Sequence, residues 1–202
     1  REQAPFAAVP PTLDKSFFWI NAETPGDAVF ASPSLVSHAL LPTRTHARVL
    51  TPRAITSPAP QEEILDRWLL AYALFDVPAA RVEAALRGAA SVENDPFAMN
   101  AENGQPANLY EYAFRSHELD AFFQPFKKTI PEEVIQALVG RYEAYPRDLA
   151  TLRAKYRLDY LYVGPYEQRM AGRDFDAAPE LTKVYDSDGV RIYAVSQNGP
   201  EL

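Results

Sequence analysis

The chain has 202 residues, a length that suits one large domain or two small ones. Apolar residues make up 47% of it and charged residues 23%, which are ordinary globular values and exclude wholesale disorder. The formal net charge of −7 argues against a nucleic-acid binder and against docking on anionic lipid through bulk charge. The chain has no cysteine, which excludes disulfides, thiolate catalysis and thiolate zinc sites.

The N-terminal part of the chain predicts a helix followed by a buried strand. Residues 13–22 have helical character, with Phe17, Phe18 and Trp19 expected to face inward. After a turn containing Pro and Gly, residues 28–32 form a short apolar run bounded by turn residues, which is typical of a buried strand.

The same order is predicted again in the next segment. Ser34 is placed to cap a helix that runs to Leu41, where Pro42 is expected to end it. Residues 48–51, closed by Pro52, are the second strand candidate.

The middle of the chain predicts helices, and we interpret residues 55–148 as a helical insertion within one domain spanning residues 1–202. Residues 61–75 have apolar residues at helical spacing and acids in the first turn, and residues 78–87 predict a second helix. The polar segment 91–108 favours a mobile loop, while a lid and a short element remain open alternatives.

Further helices are predicted before the sequence returns to strands. One is expected within residues 109–126, and residues 129–132 match a capping box that would begin the next. Pro146 is expected to start a helix that buries Leu149 and Leu152.

The C-terminal part predicts strands and completes the fold class. Residues 159–165 are rich in aromatic and β-branched residues and end in Gly-Pro, as a half-buried strand would. Residues 181–185 and 190–195 predict a hairpin around the turn at 186–189. We therefore expect an α/β fold with one mixed sheet of about five strands, helices packed on one or both faces, and a C-terminal β-hairpin.

The sequence shows no catalytic constellation. The three histidines, His38, His46 and His117, lack the spacing of metal ligands, and no nucleotide-binding or nucleophile-elbow motif is present. Asp174 and Asp176 form a D-x-D triplet, which we interpret as a surface loop. No catalytic residue and no metal site is predicted.

One stretch of the chain is locally basic. Residues 28–61 contain no acid but include His38, Arg44, His46, Arg48 and Arg53. This patch could bind an anion such as a phosphate, a lipid head group or an acidic glycan. The alternative is that its arginines pair with acids of residues 91–148.

A second candidate ligand site follows from sheet topology. Ligands of α/β sheets bind at the carboxyl ends of parallel strands. The polar residues expected at that edge are Ser32, Ser34, Tyr162, Glu167 and Arg169.

Several segments, taken in order, resemble one family. They are FWIN at 18–21, ETPGDAVF at 23–30, LLPTR at 40–44, RVL at 48–50, LR at 152–153, KYRLDYLYVGPYE at 155–167, VY at 184–185 and GVRIYAV at 189–195. Their order and spacing are similar to those of the C-terminal extracytoplasmic domain of multi-pass membrane proteins of the GT-C glycosyltransferase type. The similarity covers the two ends of the chain, and residues 55–148 carry no recognised pattern.

The resemblance implies a fragment of a longer membrane protein. The chain begins at Arg1, and its longest apolar run, residues 68–75, has eight residues where roughly 20 are needed to span a bilayer. In such transferases the catalytic acids lie in loops near the membrane helices, and none of those motifs is present here. The parent would use a polyprenyl-phosphate sugar donor, so the resemblance implies no cofactor in this segment.

The same resemblance implies an extracytoplasmic role in covering or shaping the acceptor site. The expected partners are the chain's own transmembrane region and a lipid-linked sugar or glycan acceptor, with no nucleic acid. The residues alone leave three other functions open, namely a small-ligand (sugar or phosphate) binding module, a free-standing enzyme, and a protein-interaction module that uses the middle helices.

Overall fold

The computed structural model describes residues 11–54, 56–87, 99–100, 105–106, 113–114 and 130–196. In chain order, the elements of these segments are α1 Pro11–Glu23, β1 Val29–Ala31, α2 Leu35–Arg44, β2 Arg48–Val49, α3 Gln61–Leu74, α4 Ala79–Leu86, β3 Met99–Asn100, β4 Gln105–Pro106, α5 Glu132–Glu143, α6 Leu149–Lys155, β5 Tyr160–Val163, α7 Pro165–Met170, β6 Leu181–Ser187 and β7 Val190–Val195.

The main sheet has five strands in the order β2-β1-β5-β7-β6, which confirms the predicted mixed sheet. β1 lies between β2 and β5 and runs parallel to both, whereas β7 is antiparallel to β5 and β6. Phe30 of β1 lies opposite Tyr160 of β5, and their ring centroids are 4.8 Å apart. A separate antiparallel pair joins β3 to β4.

Helices cover both faces of the sheet, because successive strand residues point to opposite sides. Phe30, Tyr162 and Ile192 pack with α1, α2 and α7 on one face. On the other face, Ala31 and Leu161 pack with α3, α4, α5 and α6. The result is a three-layer α/β arrangement with a separate apolar core on each side of the sheet.

The α3 helix is the centre of the second core. All residues from Trp68 to Phe75 are buried, so the longest apolar run of the sequence is a core helix surrounded by protein. Within the part of the chain that the structure describes, no helix has the length and apolar character that crossing a bilayer requires.

The α3 helix also carries a buried carboxylate, Asp66, which is 4% exposed. Its Oδ1 accepts hydrogen bonds from Lys155 (2.8 Å), Arg141 (2.9 Å) and Tyr145 (3.1 Å), and its Oδ2 accepts one from Tyr156 (2.9 Å). Burial raises the pKa of Asp66, but the hydrogen bonds outweigh this effect and hold the pKa below its ordinary value. The carboxylate therefore fastens α3 to α5 and α6 in its ionised form.

The predicted C-terminal hairpin is confirmed, with a two-residue turn. Asp188 and Gly189 have φ values of 53° and 79°. Positive φ at both central residues is what a type I′ turn requires, and its twist matches that of the flanking strands.

Two predictions near the N-terminus are wrong, one about the direction of a side chain and one about the end of a helix. Phe18 is 74% exposed, because Phe17 belongs to the inward stripe of α1 and the next residue lies about 100° around the helix. The α2 helix, capped by Ser34 as predicted, continues through Pro42 to Arg44, where the N–H of Thr45 donates to the carbonyl of Leu41 at 2.9 Å. A proline in the last turn removes one hydrogen bond without ending the helix.

Two later helix starts also differ from the predictions. The α5 helix begins after Pro131, whose carbonyl accepts from the N–H groups of Val134 and Ile135, and Thr129 of the predicted capping box lies outside the described residues. The α6 helix begins at Leu149 rather than at Pro146, because the Asp148 side chain caps it by accepting from the N–H of Thr151.

Several predictions lie wholly or partly outside the described residues. Of the segment 91–108, the structure describes only β3 and β4, and the predicted mobile loop stays a prediction. Of the helix predicted within 109–126, only Ala113 and Phe114 are described, and both are buried.

The hairpin turn generates the first prediction. Gly189→Ala should lower the free energy of unfolding by about 1 kcal/mol, because an L side chain is disfavoured at positive φ. An added Cβ would meet no atom within 4 Å, so the effect comes from the backbone alone. Urea denaturation measures it, with Gly26→Ala as the control, since Gly26 has equal space and no positive φ. Equal stabilities of the two variants would contradict the turn assignment.

The hydrogen bonds of Asp66 generate the second prediction. Asp66→Asn should lower the free energy of unfolding by about 2 kcal/mol at pH 7, because the neutral amide cannot replace the charged hydrogen bonds that the buried carboxylate accepts from Arg141 and Lys155. The Glu62→Gln control removes an 80% exposed partner of the same Arg141 and should cost less than about 1 kcal/mol.

The pH dependence of this loss has a definite sign. A lowered carboxyl pKa stabilises the fold above the ordinary value near 3.8, and the contribution disappears as the pH falls through the folded value. The difference in free energy of unfolding between wild type and Asp66→Asn should therefore become smaller as the pH falls. Urea denaturation at a series of pH values from neutral to acidic measures this difference. A difference that does not change with pH would contradict an ionised Asp66.

Candidate functional site

Buried polar side chains gather where the three parallel strands end. Ser32 directly follows β1, Gly164 directly follows β5, and Thr51 lies two residues beyond β2. The buried polar residues near this edge are Ser32, Ser34, Ser37, His38, Thr51 and Glu167, each at most 4% exposed. This is the edge at which α/β sheets bind ligands.

Glu167, on α7, is the central group of this edge. Its Oε1 accepts a hydrogen bond from the Ser32 hydroxyl at 2.6 Å, and its Oε2 accepts one from the N–H of Gly164 at 2.9 Å. Burial raises the pKa of Glu167, while the hydrogen bonds from Ser32, Ser37 and Gly164 act in the opposite direction. The side chain therefore ties the ends of β1 and β5 to each other.

The two serines after β1 have different structural tasks. The Ser32 hydroxyl accepts from the N–H of Ser34 at 3.0 Å and so closes the turn into α2. The Ser34 hydroxyl accepts from the N–H groups of Val36 (3.2 Å) and Ser37 (3.5 Å), which confirms the predicted helix cap.

Gly164 is needed for close approach rather than for an unusual backbone angle. A Cβ at this position would lie 3.0 Å from Glu167 Oε2 and 3.0 Å from the ring of Tyr162. The Tyr162 ring is buried beneath α1, and its hydroxyl lies 3.0 Å from the hydroxyl of Ser16. Burial raises the pKa of Tyr162, so the phenol stays neutral at physiological pH.

His38 is buried against the ring of Trp68 rather than lining an open site. Its Nδ1 lies 3.0 Å from the Thr51 hydroxyl, and its ring centroid is 5.1 Å from that of Trp68. Burial, with a smaller effect of the nearby Arg53, lowers the pKa of His38 to about 4. The imidazole is therefore neutral at pH 7.

The arrangement at the sheet edge is suited to holding the fold together. The structure brings Ser32, Ser34 and Glu167 together as predicted, but places Arg169 on the exposed side of α7, where its carbonyl accepts from Arg81. Among the described residues, no group of three or more His, Asp or Glu side chains could hold a metal ion. His117 lies outside the described residues.

The D-x-D triplet contacts the two strands of the C-terminal hairpin. Asp174 accepts a hydrogen bond from the N–H of Asp176 at 3.1 Å. The carboxylate of Asp176 in turn accepts from Tyr193 at 2.8 Å and pairs with Lys183 and Arg191. These contacts agree with the interpretation as a loop.

The basic stretch is exposed, and two of its arginines are unpaired within the described residues. Arg44, His46, Arg48 and Arg53 are all exposed. Neither Arg44 nor Arg48 forms an ion pair with a described acid, so the alternative that they pair with acids of residues 91–148 finds no support in α5 or its flanks.

Arg44 faces a groove that the sequence analysis missed. This α1–α2 groove has a volume of about 130 Å³ and is lined by Asp14, Phe17, Phe18, Asn21 and Arg44. Positions 14, 17, 18 and 21 share one face of a helix, so the spacing could have shown them together. The sequence analysis did not identify the groove because it expected Phe18 to face the core.

A larger cavity of about 270 Å³ lies between α6 and the end of β7. Its two arginines already have partners, since Arg153 donates to the carbonyl of Ser196 and Arg157 pairs with Asp27 and Asp159. We therefore do not assign a ligand to it.

Comparison of the chain with protein-family models, with curated proteins and with solved structures found no match in any of the three.

The buried Glu167 generates a prediction about pH. A raised carboxyl pKa means that the folded chain holds its proton more tightly, so stability should fall as the pH rises from about 4.5 through the folded value. Glu167→Gln cannot ionise and should lack this dependence. The stability of wild type relative to Glu167→Gln should therefore decrease over this range, by about 1.4 kcal/mol for each unit of raised pKa.

Urea denaturation of both proteins at a series of pH values measures this difference. Ionisations that the two proteins share, such as that of Asp66, cancel in the comparison. A difference that stays constant or grows with pH would contradict a raised Glu167 pKa.

Proposed function

We propose that the chain is a non-catalytic domain of a membrane glycosyltransferase-like protein, placed on the extracytoplasmic side, where it covers or shapes the acceptor site. The observation that carries the proposal is the internal hydrogen bonding of Glu167 with Ser32 and Gly164. A catalytic carboxyl group must reach a substrate proton, whereas Glu167 is fully buried and its oxygens are occupied by the protein itself.

The arrangement of the segments that carry the family resemblance supports the proposal. The segment 23–30 leads into β1, the segment 155–167 contains β5, and the last segment contains β7. These three strands are consecutive neighbours in the sheet although they are far apart in the chain. The resembling segments therefore form one continuous structural unit.

A domain that covers a glycan acceptor also needs a surface that faces the acceptor, and the outer face of α1 offers one. Phe18 is 74% exposed, and Arg44, which has no ion pair among the described residues, lines the same α1–α2 groove. Aromatic residues and arginine are enriched at binding surfaces.

The second candidate is a small-ligand binding module at the carboxyl edge. The position of Ser32 and Gly164 after adjacent parallel strands favours it. A ligand there would have to replace the hydrogen bonds to Glu167. A rise in melting temperature with a member of a sugar and nucleotide library, lost in Ser32→Ala, would support this candidate over the first.

Two measurements test the proposal. The complete coding sequence should encode a multi-span membrane region upstream of Arg1, and a reading frame that begins near Arg1 would overturn the membrane role. In the full-length protein, Glu167→Gln should keep transferase activity per folded molecule within about tenfold of wild type, since losing a general acid or base costs about 100-fold or more. A larger loss with intact folding would overturn the non-catalytic role.

A further inference from the structure

Two hydrogen bonds of Asn21, one of the residues that line the α1–α2 groove, join α1 to the end of α2. The side-chain amide of Asn21 donates to the carbonyl of Arg44 at 3.2 Å and accepts from the N–H of His46 at 3.0 Å. On the inner side of α1, the Ser16 hydroxyl contacts Tyr162, and Leu13 and Ile20 are buried. The two walls of the groove are therefore fixed before any ligand arrives.

One wall of the groove carries an aromatic ring that does not pack in the core. Phe18 is 74% exposed, whereas the neighbouring Phe17 is 4% exposed and stacks on Tyr162 at 6.3 Å. Phe18 makes no ring contact with any described residue, and the only other large apolar side chain exposed in the described part is Val184, at 36%. An exposed ring of this kind is available as a flat apolar platform.

The groove also has two charged groups of opposite sign, which are not paired with each other. Arg44 and Asp14 line the same groove, yet neither side chain has a hydrogen bond or ion pair within the described residues. A guanidinium only donates hydrogen bonds, and a carboxylate only accepts them. A ligand that pairs with both must offer acceptors and donors side by side.

We infer that the α1–α2 groove binds one neutral saccharide ring, an inference that rests on the proposed role at a glycan acceptor site. Hydroxyl groups are donors and acceptors at once, so a vicinal diol pairs with Arg44 and Asp14 together. The C–H face of a pyranose packs on the ring of Phe18.

The same groups select against other ligand classes. The carboxylate of Asp14 offsets the attraction of an anion to Arg44, and the guanidinium of Arg44 offsets the attraction of a cation to Asp14. A purely apolar ligand would desolvate both charges without giving them partners. The volume of about 130 Å³ is less than half of the ~300 Å³ of the smallest drug-sized pockets, so it suits a single ring.

Saturation-transfer NMR on the 202-residue chain tests the inference. The probes are the methyl glycosides of glucose, galactose and mannose, with glucose 6-phosphate as the anionic probe. At least one glycoside should receive saturation from the protein's aromatic protons, and it should bind more tightly than glucose 6-phosphate. Phe18→Ala should weaken this binding about tenfold, and Arg44→Ala and Asp14→Asn should also weaken it.

Val184→Ala is the matched control, because it removes the other exposed apolar side chain and should leave binding unchanged. The inference is overturned if no glycoside receives saturation, if Phe18→Ala binds as wild type does, or if glucose 6-phosphate binds more tightly. Phe18-dependent dimerisation in analytical ultracentrifugation would also overturn it, since the ring would then be an interface between copies.

The outcomes separate this inference from the proposed function. Absence of glycoside binding together with an upstream membrane region would overturn the groove assignment alone. Glycoside binding by a chain whose gene encodes no membrane region would overturn the membrane role and leave the groove assignment standing.

Discussion

The buried carboxyl group of Glu167 is the contact on which the carboxyl edge of the sheet depends. It joins the Ser32 hydroxyl after β1 to the Gly164 amide after β5, two points that are far apart in the chain. A buried acid is costly unless its oxygens are hydrogen-bonded, so the surrounding residues must keep their positions for the acid to be tolerated. At the edge where many α/β proteins bind ligands, these hydrogen bonds instead link the ends of β1 and β5.

Because the carboxyl edge is occupied by these contacts, the outer face of α1 is the other candidate binding surface of the described chain. The inner stripe of that helix supplies Leu13, Phe17 and Ile20 to the core, and its outer stripe supplies Asp14 and Phe18 to the groove. One short helix therefore connects the sheet to the groove for which we infer saccharide binding. Because the inner stripe is packed, the backbone positions of Asp14 and Phe18 are fixed relative to the sheet.

Much of the fold could be predicted from local pattern. The strands at 29–31 and 160–163 and the C-terminal hairpin follow from short apolar runs and from turn residues that tolerate positive φ. Predictions failed where two neighbouring residues of the same type face different ways. Phe17 and Phe18 are both large aromatics, and only the contacts of α1 with the sheet decide which one is buried.

The sequence by itself determined the fold class, the mixed sheet and most helices, because periodicity and turn chemistry act over a few residues. It also placed Ser32, Ser34 and Glu167 at one edge, since sheet topology follows from element order. Only the tertiary structure decided that Glu167 is a buried link between β1 and β5, that Asp66 has four hydrogen-bond partners, and that Asp14 and Arg44 line one groove. These outcomes depend on contacts between residues that are distant in the chain. Local sequence patterns do not specify which distant residues come into contact.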